Sequence, residues 1–166
     1  MKNNVFILAC LVGMALVSGC STNSQIPLEL QYSAPPAGVP VATIRGSEEK
    51  SLLLDDLTAY IVTIDGRLVM AGRRGWNTPI SLEAGYHVLN VKFARGVFAA
   101  VADFDLVAVA NANYQLRYTT DVKLLGNNSY VDFWIIDMAT SRAVSPIKQA
   151  VVSGGENPEF VPILFQ

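Results

Sequence analysis

YQLRYT, residues 114–119, sends Tyr114, Leu116 and Tyr118 one way and Gln115, Arg117 and Thr119 the other. Successive side chains leave a pleated strand on opposite sides, so this alternation marks a strand with one dry face and one wet face. The same period extends on the N-terminal side. Phe98, Phe104 and Leu106 share a face with Ala100, Ala102 and Ala108, and the opposite face sets Asp103 and Asp105 between valines. Earlier still, His87, Leu89, Val91 and Phe93 alternate with Val88, Asn90 and Lys92.

Turn signals separate these runs. Asp65-Gly66 lies between Tyr60–Ile64 and Arg67–Val69, a two-residue hairpin pattern in which Gly tolerates the positive φ of a type I′ turn. Glu83-Ala84-Gly85, Ala110–Asn113, Gly126–Ser129 and Asp137–Ser141 punctuate the remainder, the last after the run Val131–Ile136. Seven or eight short strands are expected, with no long helix; SEEKSLLLDDL, residues 47–57, is the one place where a helical turn is anticipated. The pattern predicts an all-β fold, an antiparallel β-sandwich with its two sheets about 10 Å apart, and a closed barrel as second choice.

One such domain is expected over residues 41–152, long enough to bury roughly 60–70% of its unfolded surface. Ahead of it, residues 20–40 are rich in Ser, Asn and Pro and read as a tether, although Ile26–Tyr32 is apolar enough to dock instead. After it, residues 153–166 carry Phe160, Val161, Ile163, Leu164 and Phe165, a tail expected to dock on the domain.

The N-terminus reads as an address. Lys2 is the sole charge in the first 28 residues, and thirteen apolar residues follow, Val5–Val17. That run is shorter than the ~20 residues a membrane span needs, which fits a signal peptide over residues 1–19. Leu16-Val17-Ser18-Gly19-Cys20 resembles the bacterial lipobox, an aliphatic residue and two small ones before a Cys. The resemblance implies cleavage before Cys20, acylation of its thiol and its freed amine, and a lipid anchor. Ser21 rather than Asp after the Cys implies the outer membrane, with the domain facing the periplasm.

The chain has two cysteines; Cys10 lies in the leader and Cys20 takes lipid, so no thiol is left for a disulfide or for catalysis. Twelve basic against fourteen acidic residues give a net charge of −2, no field to attract nucleic acid. His87 is the lone histidine and reads as structural; with no companion ligands, no metal or other cofactor is expected. No G-x-S-x-G elbow is present. Asp103 and Asp105 sit about 7 Å apart along one strand face, but paired glycosidase carboxylates flank a bond from different elements, so solvated charges are the simpler reading. Tyr130, Asp132 and Trp134 face outward if Val131, Phe133 and Ile135 face the core, and two aromatics around a carboxylate suit a sugar ring or a protein partner; cover by the tether or the tail is the competing account. Arg73, Arg74 and Trp76 form a basic-aromatic loop that suits headgroups or an acidic polymer.

TIDGRLV (63–69), ISLEAGYHVLNVKF (80–93), VANANYQLRY (109–118) and FWIIDMATSRAV (133–144) together resemble small envelope β-sandwich domains of the PEGA type. In that family a Gly is usual where Asn113 stands, and another where Ser141 stands. The resemblance implies an envelope domain without catalytic residues. The expected function is a non-enzymatic, lipid-anchored binding or structural module that contacts an envelope protein or glycan. An envelope hydrolase using Asp103 or Asp132 is the alternative.

Overall fold

The computed structural model describes residues 26–52, 54–121 and 129–154; the leader, Cys20 and the tail beyond Gly154 fall outside that range. Twelve strands are described: β1 (Val41–Arg45), β2 (Ser47–Glu49), β3 (Leu57–Ile64), β4 (Arg67–Leu68), β5 (Ile80–Glu83), β6 (Gly85–Arg95), β7 (Phe98–Ala108), β8 (Asn113–Thr120), β9 (Tyr130–Asp137), β10 (Arg142–Ala143), β11 (Lys148–Val151) and β12 (Ser153–Gly154). The first sheet runs β10-β9-β8-β1-β5, with β11 also on β9; the second runs β12-β7-β6-β3-β2, with β4 also on β3. The all-β sandwich expected from the alternation is what forms.

Part of the excess over the expected seven or eight strands has one physical reason. Three continuous runs change sheets partway, and each is thereby split in two. β1 passes into β2 through Gly46, β5 into β6 through Ala84, and β11 into β12 through Val152. Strands that switch sheets make the corners of a sandwich. Two of these corners use glycine. A Cβ on Gly46 would stand 2.1 Å from the Ala59 carbonyl oxygen, and Gly85 holds a φ of 143°. The pairing is antiparallel except where β1 runs parallel to β8.

Segment 47–57 corrects the expected helical turn. Ser47–Glu49 pairs as a strand with β3, and Asp56 ties the loop by accepting the Ser51 amide at 3.0 Å and Lys50 Nζ at 2.8 Å. A strand partner is available here, and it satisfies backbone groups that a single isolated helical turn would leave open. No α-helix occurs among the described residues.

The alternating faces go where the periodicity sends them. Phe93, Phe104, Phe133, Ile44, Leu82 and Leu116 are fully buried between the sheets. Tyr118 sews the sheets together: its ring lies 5.2 Å from that of Phe93, and its hydroxyl donates to the Leu57 carbonyl at 2.7 Å. Burial, with Glu49 nearby, pushes this phenol up to about 12. The Lys148 ammonium of β11 stands 5.5 Å above the Phe104 ring of β7, a second side-chain contact between the sheets.

Residues ahead of the first strand join the fold. Residues 28–30 make a 3₁₀ turn, and Gln31 bridges in parallel to Leu68 of β4. Tyr32 donates its amide to the Leu68 carbonyl at 2.8 Å and its hydroxyl to the Ser81 carbonyl at 2.7 Å. A single residue thus ties an edge of each sheet.

Candidate functional site: the two outer faces

Asp65 and Gly66 adopt φ of 52° and 77°, the left-handed pair that a tight hairpin turn requires. Asp65 then reaches across to β6, where its Oδ1 accepts the Val88 amide at 2.8 Å and its Oδ2 meets His87 Nδ1 at 2.7 Å. His87 Nε2 meets the Glu83 carbonyl at 2.7 Å. The imidazole is buried and pins the β3–β4 turn to the β5–β6 corner. It has the structural role expected of it, and among the described residues no group of His, Cys, Asp and Glu is assembled to hold a metal.

Beyond this pin the second sheet turns an apolar face to solvent. Tyr86 and Val88 on β6 lie beside Val107 and Asp105 on β7, in register. Tyr86, Val107 and Val109 are 62–68% exposed, and Val88 and Val101 just over 40%. Asp103 and Asp105 stand within this stripe. Asp103 accepts the Asn90 amide group at 2.7 Å, and Asp105 accepts the Tyr86 hydroxyl. That bond, more than burial, raises the Tyr86 phenol. Both carboxylates are engaged by neighbours on a flat strand surface.

The first sheet's outer face holds the aromatic-acid trio. Tyr130, Asp132 and Trp134 alternate with the buried Val131, Phe133 and Ile135. Asp132 accepts from the Gln149 amide group of β11 at 3.0 Å, and Trp134 is in register with Arg117 of β8. β11 lies beside β9 in the same sheet, so it flanks this trio. Asp132 and Asp103 stand on the outward faces of opposite sheets and cannot converge on one bond.

The second trio does not join the first. Residues 73–75 form a 3₁₀ turn between β4 and β5. Arg73 is clamped to the start of β3, donating to the Asp56 carbonyl at 2.9 Å and to Thr58 Oγ1 at 3.4 Å. Trp76 accepts the Gly46 amide on its carbonyl at 2.7 Å and so supports the first corner. Arg74 alone of the three is exposed. Cys20, the expected lipid acceptor, lies outside the described residues.

No protein-family model, curated protein or solved structure matches this chain.

The Tyr86–Val107 stripe presents exposed apolar surface on the second sheet. Alternation places these valines on the face of Asp103 and Asp105 without showing whether anything covers them. Valines at 101 and 107 stand in the odd register of β7, and Val109 directly follows it.

Proposed function

We propose that the chain is a lipid-anchored envelope lipoprotein whose PEGA-like sandwich binds a second envelope protein without catalysing a reaction. The exposed stripe of Tyr86, Val88, Val107 and Val109 carries this reading. Contiguous apolar surface on one sheet face marks an interaction site. Asp103 and Asp105 within it favour a partner whose own apolar surface is bordered by Lys or Arg, since complementary charge steers docking and rejects like-charged surfaces.

The docked N-terminal segment supports the anchored arrangement. With Gln31 and Tyr32 fixed to β4, ten residues, 21–30, separate Cys20 from the first of them. Eleven residue steps from Cys20 to Gln31 span at most about 40 Å. The lipids therefore hold the β4 edge within that distance of the outer membrane, and the partner shares that periplasmic layer.

The test has two arms in intact cells. Cys20→Ala is expected to lose acyl labelling and to release the protein from the membrane fraction; unchanged labelling would remove the anchor. A photo-crosslinking residue at position 86 is expected to capture one discrete protein, whereas the same residue at Leu28, also exposed, is not. Equal capture at the two positions would remove the binding face.

A further inference from the structure

A concavity of about 380 Å³ opens on the first sheet, on the face opposite the core, and is unrelated to the valine stripe or the anchor. Thr43 and Arg45 of β1 and Asn113 of β8 are its polar lining; Pro79, Met138, Ala139 and the core residue Tyr114 complete it. Its volume falls within the range of small-ligand sites, roughly 300–1,000 Å³.

Its charge is unbalanced. Arg45 makes one side-chain hydrogen bond, from Nη1 to Asn77 Oδ1 at a long 3.3 Å. Arg45 Nε is shielded from solvent and has no acceptor among the described residues. A guanidinium offers five N–H donors; the shielded Nε is beyond a ligand's reach, and of the four on the terminal nitrogens one is engaged, by Asn77. No carboxylate lines the concavity. Asp137, next in the chain to Met138, is turned to the amides of Ala139 and Thr140 at 2.7 and 3.3 Å. Asn113 Oδ1 is occupied by the Thr43 hydroxyl at 2.7 Å, which leaves its amide nitrogen as a second donor.

We infer that this concavity binds a carboxylate carried on a small apolar body. A guanidinium fork matches a planar carboxylate with two parallel hydrogen bonds, and the Asn113 amide nitrogen supplies a third. Pro79, Met138 and Ala139 then cover the apolar part of the ligand, with Met138 adapting to its shape. A single cation balances a monoanion. A phosphate dianion would remain half-compensated there.

The test is a titration of the isotope-labelled full chain followed by NMR at the amides of Thr43, Asn113 and Ala139. N-acetyl-alanine is the probe; its neutral amide and inorganic phosphate are the comparisons. Saturable shifts are expected with N-acetyl-alanine, with affinity for the neutral amide and for phosphate lower by about tenfold or more. Arg45→Gln is expected to weaken N-acetyl-alanine by a similar factor. Should that variant fail to fold by circular dichroism, Asn113→Asp serves instead, because it sets a carboxylate at the mouth on an exposed side chain and is expected to weaken the probe likewise. No saturable shift, equal binding of the neutral amide, tighter binding of phosphate, or wild-type affinity in the folded variant would each overturn the assignment.

Discussion

The corners and the faces of this sandwich obey different rules. At a corner the strand leaves one sheet for the other, and contacts from a different strand or turn hold it: Gly46 stands against the Ala59 carbonyl, and His87 meets Asp65. On the outer faces, side chains answer only to neighbours on adjacent strands, as Tyr86 does to Asp105 and Asn90 to Asp103. The corners therefore determine whether the chain folds, while the faces remain free to determine what it touches. Substitutions separate the two regions by how much stability each removes.

Gly46→Ala is expected to have the largest effect. The new Cβ would meet the Ala59 oxygen at 2.1 Å, and that carbonyl belongs to a residue paired with Ser47 on one side and Phe93 on the other. The clash cannot relax without breaking a ladder. A loss of about 4 kcal/mol or more is expected in chemical denaturation. A folded variant of near wild-type stability would show that the first corner can move.

His87→Ala is expected to rank second. It removes the bond to Asp65 and the bond to Glu83 from a buried site, with a cost of about 2 kcal/mol. The loss should show in denaturation midpoints, and hydrogen exchange at Val88, whose amide is held by Asp65, should quicken. A loss confined to global stability, with Val88 still protected, would show that Asp65 holds the turn without help.

The difference between the regions also explains what sequence reading reached. Alternation is local, so the inner and outer faces of β6, β7, β8 and β9 were legible residue by residue. The Asp65-Gly66 turn was legible too, because its backbone demand is met by the two residues themselves. Corners are not local. Gly46 looks like any glycine until Ala59 stands against it, and so a helical turn was expected over 47–57 where β2 forms. The parallel β1–β8 pair was hidden for the same reason, since no short-range pattern specifies a parallel neighbour. The left-handed residue of the Ala110–Asn113 turn is Asn111, with φ of 65°, while Asn113 begins a strand with ordinary φ. Ser141, at a position where the PEGA-like pattern places Gly, does take a φ of 56°. Exposure was the remaining gap in reading the site: period two tells which side a valine is on, never whether something covers it.

Tyr118 tests the seam between the corners. Its phenol is held up to about 12, above the ordinary value of 10.0, first by burial and then by Glu49. A group whose folded value is raised contributes stability that is complete below the unfolded value and is lost as pH rises through the folded one. Wild-type stability is therefore expected to fall between pH 10 and about 12. Tyr118→Phe should lessen that fall while lowering stability modestly at neutral pH, because it removes the bond to the Leu57 carbonyl. Identical alkaline slopes in the two proteins would assign the fall to other groups.

Val107→Lys is expected to have the smallest effect on folding and the sharpest on contact. Val107 is 68% exposed on the outer face of β7, opposite Tyr86. Its side chain has little burial to lose, so stability is expected to stay within about 0.5 kcal/mol of wild type. The added ammonium sets a charge in the middle of the apolar stripe, where a docked partner would have to desolvate it. Crosslinking from position 86 should then fall although the melting transition is unmoved. An unchanged crosslink would place the contact elsewhere on the sandwich; a large loss of stability would mean that this face is held by the chain itself and belongs with the corners.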